Sequence, residues 1–197
     1  MNSKYAWAMV MTVILGMGGC ARLEVPVERP GEVTMQGKPV TLQGQTPAVG
    51  DHAPGFTAVA NDMSTFTFMP GGKVWILTAV PSLETKVCSV ETRRFNEEAA
   101  KLGADAGVIT VSMDLPFTQK KWCGAEGIER VKTVSDYRDR AFGLMYGVRI
   151  KESGLLSRSV FVVDRRGKIV YEEIVPELSR EPNYAAALAA AKLAGGS

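Results

Sequence analysis

Three cysteines and one histidine are all the thiols and imidazoles that this 197-residue chain carries, and that scarcity removes several chemistries. A structural zinc site draws on four ligands, usually Cys and His, and the supply is too thin. A cysteine hydrolase needs a base beside its thiol. The only imidazole, His52, lies in Gly50-Asp51-His52-Ala53-Pro54, a loop pattern that reads as a surface position. No Cys-x-x-Cys is present, which argues against a thioredoxin-type disulfide exchanger. Excess charge is lacking too: the formal charge is +2, and no stripe of Lys and Arg marks a nucleic-acid face. Arg93-Arg94 is balanced by Glu91, Glu97 and Glu98, so this cluster reads as a solvated helix face. With 46% hydrophobic residues and no internal repeat, the chain suits one compact domain with a full core.

The first twenty residues differ in kind. Lys4 is followed by an uncharged run that is apolar up to Leu15 and rich in small residues afterwards. A membrane-spanning helix needs about 20 mostly apolar residues, and this run is shorter. The layout is that of an export signal. Leu15-Gly16-Met17-Gly18-Gly19-Cys20 resembles the processing box of bacterial lipoproteins, in which the cysteine becomes lipidated and N-terminal. Residues 1–19 are therefore read as a lipoprotein-type signal peptide and Cys20 as the lipidation site. Residues 20–31, containing Val25-Pro26-Val27-Glu28-Arg29-Pro30, read as an unpacked tether, and residues 32–197 as the domain. An ordinary cleaved signal with an incidental cysteine is the alternative. The string Gly16 to Ala21 fits GxGxxA but follows no strand of a βαβ unit, so it is not read as a dinucleotide site.

Within the domain, Val33–Gln36 and Val40–Gln43 flank Gly37-Lys38-Pro39 and predict an N-terminal β-hairpin. Val74–Val80 is a nearly continuous apolar run stopped by Pro81, as in a strand buried on both faces. A helix follows from Cys88 to Leu102, its apolar positions Val87, Val90, Phe95, Ala99 and Leu102 at mostly helical spacing. Val108–Met113 is a second buried strand, so strand, helix and strand form a parallel βαβ unit. Tyr137–Tyr146 predicts a helix. Ser159–Val163 and Ile169–Val175 predict an antiparallel pair around Asp164-Arg165-Arg166-Gly167, and Tyr184–Leu193 a closing helix. Together these describe an α/β, thioredoxin-like fold: a mixed central sheet, flanking helices and the N-terminal β-hairpin. Phe66, Phe68 and Phe161 are assigned to its core.

Cys88 sits where a thiolate can be made. It follows a buried strand and a proline-initiated loop, in the first turn of a helix, and open α/β sheets bind ligands beyond their strands' carboxyl ends. Unpaired N–H groups and the helix dipole favour an anion there, and such settings lower a cysteine pKa from about 8.5 to roughly 3.5–7.5. Thr85, three residues earlier, is close enough in a tight turn to present its hydroxyl.

Pro81-Ser82-Leu83-Glu84-Thr85-Lys86-Val87-Cys88 matches the Pro-x-x-x-Thr-x-x-Cys signature, and the chain resembles the peroxiredoxins. The wider match is similar to the bacterial thiol peroxidase subfamily, an atypical two-cysteine type. It runs through Phe95-Asn96-Glu97-Glu98-Ala99-Ala100, Asp114-Leu115-Pro116-Phe117, Trp122-Cys123-Gly124-Ala125-Glu126-Gly127-Ile128, Val175-Pro176-Glu177 and Glu181-Pro182-Asn183-Tyr184. The resemblance implies that Cys88 is the peroxidatic cysteine and Cys123 the resolving one, forming a redox disulfide. It implies that Thr85 holds the peroxide oxygens and the thiolate, that Pro81 shields the thiolate from water, and that Arg158 stabilises thiolate and leaving oxygen. It further implies hydrogen peroxide and organic hydroperoxides as substrates, a thioredoxin-like reductant, a homodimer, and no metal or organic cofactor. Two positions depart from the subfamily: Lys86 stands where proline is common, and Glu84 where aspartate is usual. The signal segment adds an exported, periplasmic-side location with a lipid anchor in the membrane. The competing reading is a non-catalytic thioredoxin-fold lipoprotein whose Cys88 and Cys123 form a structural disulfide.

Overall fold

The computed structural model describes residues 26–103 and 105–196. The signal segment and Cys20 lie outside them. An antiparallel hairpin opens the described chain, β1 (Glu28–Met35) and β2 (Lys38–Gln43). Its two-residue turn places Gln36 and Gly37 at φ 53° and 74°, the left-handed pair that matches strand twist. With β8 (Arg149–Ile150) the hairpin makes a small sheet in the order β1-β2-β8.

Strand β1 starts at Glu28, inside the stretch read as a tether, and this part of that reading is corrected. Glu28, Arg29 and Pro30 pair with Gln43, Leu42 and Thr41. Proline lacks the N–H a central strand needs, but β1 is an edge strand and its register shifts between Pro30 and Val33, where Pro is tolerated.

The main sheet has seven strands: β3 (Phe56–Ala60), β4 (Thr65–Phe68), β5 (Val74–Ala79), β6 (Ala106–Ser112), β7 (Val131–Ser135), β9 (Ser159–Val163) and β10 (Ile169–Ile174). Their order is β10-β9-β5-β6-β7-β3-β4. β5, β6 and β7 run parallel, while β9, β10, β3 and β4 add antiparallel neighbours. The helices are α1 (Lys86–Ala99), α2 (Pro116–Glu126), α3 (Ala141–Met145) and α4 (Tyr184–Gly195). The parallel βαβ unit and the antiparallel ββα unit are thus both present, in a thioredoxin-like mixed sheet.

Alternation on the strands divides the core. Leu77, Ile109, Val134 and Phe161 join Phe56, Phe142 and Tyr146 on one side. Ile76, Val108, Val131 and Val160 join Phe95 of α1 and Tyr184 and Ala187 of α4 on the other. Phe68 and Phe161 are buried, and Phe66 packs against the first cluster.

The helix expected at Tyr137–Tyr146 is shorter, Ala141–Met145. Arg140 sits at φ 55°, which breaks any earlier helical start. Buried Asp136 then accepts the N–H groups of Phe142 and Gly143 at 3.1 and 2.8 Å, doing the work of a cap from outside the turn. The sequence reading missed β3, β4, β7, the two-residue β8 and α2. Among the described residues no helix is long and apolar enough to cross a membrane.

Candidate active site

The site is built where β5 ends and α1 begins. Pro81 cannot continue the strand ladder, and the loop that follows is tied down by one carboxylate. Asp114, after β6, accepts from Ser82 Oγ at 2.7 Å, from the Leu83 N–H at 2.8 Å and from Ser112 Oγ at 2.8 Å. Thr85 is the N-cap of α1, with extended backbone at φ −82° and ψ 147°. A threonine here normally turns its oxygen to the helix's free N–H groups, a bond worth about 1 kcal/mol. Thr85 makes no such cap. Its hydroxyl instead reaches Cys88 Sγ at 2.8 Å and the Ser82 carbonyl at 3.1 Å. The sequence thus gives up a cap to aim a donor at sulfur.

Cys88 is the third residue of α1 and fully buried, which puts it in the first turn, where a helix's unpaired N–H groups favour an anion. A second donor comes from the residue just before β9: Arg158 Nη2 stands 3.2 Å from Cys88 Sγ. Arg158 is itself buried and held on three sides. Nε and Nη2 donate to the Leu178 carbonyl at 3.2 and 3.1 Å, and Nη1 donates to the carboxylate of Glu91. Burial opposes the Arg158 charge, but Glu91 and Cys88 outweigh it and hold the guanidinium pKa above its usual value. Burial pushes the Glu91 carboxyl up to about 7, with Arg158 pulling the other way.

Glu91 corrects the sequence reading, which placed it on a solvated face with Arg93-Arg94. It is wholly buried one helical turn after Cys88. Arg93 does face outward, pairing with Glu126, and Arg94 stacks over Tyr184 with 4.1 Å to the ring centre.

A cavity of about 280 Å³ opens over these groups, lined by Pro81, Thr85, Val87, Leu155, Arg158 and Leu178 among others, with Lys86 at its rim. The Leu178 segment is braced by Glu177. That carboxylate accepts from Thr34 Oγ1 at 2.7 Å, from the N–H groups of Gln36 and Gly37 at 3.1 Å each, and from Ser179 N at 3.1 Å. Thr34 and the backbone donors hold its pKa down to about 2.

Three of the expected residues, Pro81, Thr85 and Arg158, therefore line one cavity, and the fourth, Cys88, is buried beside it with its sulfur held by Thr85 and Arg158. Cys123 is not among them. It lies on α2, is a free thiol like Cys88, and shares a hydrogen bond with Thr133 Oγ1 at 3.3 Å. Burial raises its thiol pKa, which Thr133 partly offsets. Its neighbour Trp122 packs against Val80, Leu83 and Cys88, so an indole borders both thiol segments. His52 is exposed. Among the described residues no cluster of three or more His, Cys, Asp or Glu could hold a metal ion.

Comparison with known proteins places this arrangement. The Redoxin family matches residues 48–188. The thiol peroxidase of Bacillus subtilis (strain 168) is 54% identical over 162 residues, covering 82% of this chain and 96% of the relative. The thiol peroxidase of Halalkalibacterium halodurans is 49% identical, covering 82% and 98%. A peroxiredoxin-like protein from Aquifex aeolicus superposes with a TM-score of 0.79 at 39% identity, covering 84% of this chain and 98% of the other. Mycobacterium tuberculosis AhpC, at 19% identity and a TM-score of 0.61, shares the fold. With its Pro-x-x-x-Thr-x-x-Cys loop closed over by Arg158, the chain belongs to the redoxin family as a peroxiredoxin-type enzyme of the thiol peroxidase group.

Proposed function

We propose that the protein reduces hydrogen peroxide and organic hydroperoxides through Cys88. The observation that carries this reading is one buried sulfur with two donors, Thr85 at 2.8 Å and Arg158 at 3.2 Å, both of which line a cavity. The Cys88 thiolate attacks one peroxide oxygen and the O–O bond breaks. The departing oxygen takes a proton and leaves as alcohol or water, and Cys88 becomes a sulfenic acid. Negative charge moves from sulfur to the leaving oxygen. Fixed donors that span both positions lower the barrier because no solvent must reorganise. Arg158 supplies permanently charged, rigid donors, and Thr85 supplies a hydroxyl not committed to the helix cap.

Cys123 then displaces hydroxide from the sulfenic acid, giving an intramolecular disulfide, and a thioredoxin-like dithiol reductant restores both thiols. A disulfide needs Cα atoms about 4.4–6.8 Å apart, and both cysteines start inside helices with other partners. Resolution in this reading includes local unwinding of α1's first turn and of α2 beside Gly124 and Gly127. Gly127 already adopts φ 65° at the end of α2. The protein acts as an exported homodimer, anchored to the membrane through lipid on Cys20.

The test is peroxide consumption by the reduced protein with a thioredoxin-like reductant, beside a Cys88→Ser variant checked for folding by circular dichroism. Turnover in the parent and none in the variant is expected. Full turnover in the variant overturns the role of Cys88, and none in the parent favours a disulfide-stapled binding protein.

A further inference from the structure

The thiol of Cys123 does not simply wait in solvent. It is tied through Thr133 to strand β7 and, through the same hydroxyl, to Asn61 just after β3. Cys123 Sγ and Thr133 Oγ1 share a hydrogen bond at 3.3 Å, and Asn61 Nδ2 donates to the same Thr133 oxygen at 2.8 Å. Asn61 follows β3 and Thr133 lies within β7, the strand that pairs with β3. Thr133 is buried. Either Cys123 Sγ or Thr133 Oγ1 can be the donor in the shared bond, and Asn61 fixes the position of the hydroxyl whichever way it runs. β7 is hydrogen-bonded on both edges, to β6 and β3, so this anchor point does not move with α2.

We propose that Thr133 and Asn61 are positioning residues that latch Cys123 onto β7 and thereby set how long the Cys88 sulfenic acid survives. The inference rests on Cys123 being the resolving cysteine. For resolution, Cys123 sulfur must leave Thr133 and attack Cys88 sulfur. An S–S bond forms, the S–O bond breaks, and hydroxide departs to be protonated to water. The hydrogen bond to Thr133 exists only before this step, so it stabilises the waiting state and slows capture. A hydrogen bond of this kind changes the equilibrium between latched and released states by about three- to tenfold.

The waiting sulfenic acid has two fates: capture by Cys123, or a second peroxide that takes it to sulfinic acid. A latch that lengthens the wait raises the share of the second. Strength of one Cys123–Thr133 contact therefore sets the peroxide concentration at which the enzyme inactivates.

The experiment compares Thr133→Val, Asn61→Ala, Thr133→Ser and Cys123→Ser. Each is mixed with one equivalent of peroxide and followed by rapid quenching, mass spectrometry and the fluorescence of Trp122, which sits between the two thiol segments. Thr133→Val is expected to form the disulfide about three- to tenfold faster and to need more peroxide before Cys88 gains two oxygens. Asn61→Ala should move both readouts the same way by less, and Thr133→Ser should restore the parent rate, which mere loosening of the strand would not do. Disulfide formation in Thr133→Val at the parent rate or slower overturns the latch. If Thr133→Val does not fold, Asn61→Ala decides: an unchanged resolution rate overturns the proposal. If Cys123→Ser still recycles normally, the resolving role of Cys123 has failed, whatever Thr133→Val does.

Discussion

Replacing Arg158 with methionine tests the electrostatic account of the site most directly. The substitution keeps much of the buried volume but removes the partner of Glu91, which is 0% exposed. Breaking a buried ion pair by deleting one member costs about 3–5 kcal/mol, because the other charge is left uncompensated. Glu91 can escape part of that cost by taking up a proton, so the loss depends on pH, and its sign follows from linkage. In the parent, the Glu91 pKa is raised from 4.5 to about 7. The folded state therefore holds a proton that the unfolded state has released, and stability falls between those two pH values and flattens above 7. Without Arg158 the folded pKa moves higher still, so stability continues to fall above 7, by up to about 1.4 kcal/mol per pH unit. The gap between parent and variant should be constant below pH 7 and about 2 kcal/mol wider at pH 8.5 than at pH 7. Urea denaturation at pH 6, 7 and 8.5, in a Cys88→Ser background so that no thiol faces Arg158, measures this. Adding Glu91→Gln should close most of the widening. A gap that does not change with pH, and that Glu91→Gln leaves alone, would refute the reasoning. In the Cys88 background, Arg158→Met should also slow peroxide reduction by about 10²–10³-fold, the usual loss for one donor aimed at developing charge.

Thr85→Val removes the hydroxyl at 2.8 Å from Cys88 Sγ and should lower the second-order rate with peroxide by at least about tenfold, whereas Thr85→Ser should retain most of it; stopped-flow oxidation distinguishes them. Cys123→Ser under excess peroxide should accumulate Cys88 with two added oxygens, seen by peptide mass spectrometry, while the parent shows far less. Mass spectrometry of membrane-extracted protein should find an acylated N-terminal Cys20 with residues 1–19 removed; an unmodified N-terminus elsewhere refutes the lipoprotein reading.

Much of this architecture was legible from the chain itself. Val74–Ala79 was readable because a strand covered on both faces is a plain apolar run, and the N-terminal hairpin because a glycine separates two short strand-like runs, although its turn lies at Gln36-Gly37 rather than at Gly37-Lys38-Pro39. β3 and β4 were missed because Thr65-Phe66-Thr67-Phe68 is too short for its alternation to stand out. α2 was missed although Pro116 at its start and Gly127 just past its end are ordinary helix signals; Gln119, Lys120 and Lys121 between them dilute its apolar face. At the site, Cys88, Thr85 and Arg158 were read from the signature and the resemblance. Glu91 was not, because the buried stripe of α1 was sought among apolar residues alone. The stripe runs Cys88, Glu91, Thr92 and Phe95, one position away from Val87 and Val90. A carboxylate at i+3 from a buried thiol was the available signal. What hid it was its partner: Arg158 lies 67 residues further along the chain, and only the fold brings the two together.

The two glutamates behind Arg158 respond to protons in opposite ways. Glu177, surrounded by donors and held near 2, keeps its charge across the neutral and mildly acid range, so the segment that offers the Leu178 carbonyl is a fixed mount. Glu91, at about 7, changes its charge within the neutral range. The guanidinium is thus bolted to one support that ignores acidity and leans on another that follows it. As the medium acidifies, Arg158 keeps its place while the negative charge competing for it fades, and more of its field is left for the sulfur of Cys88.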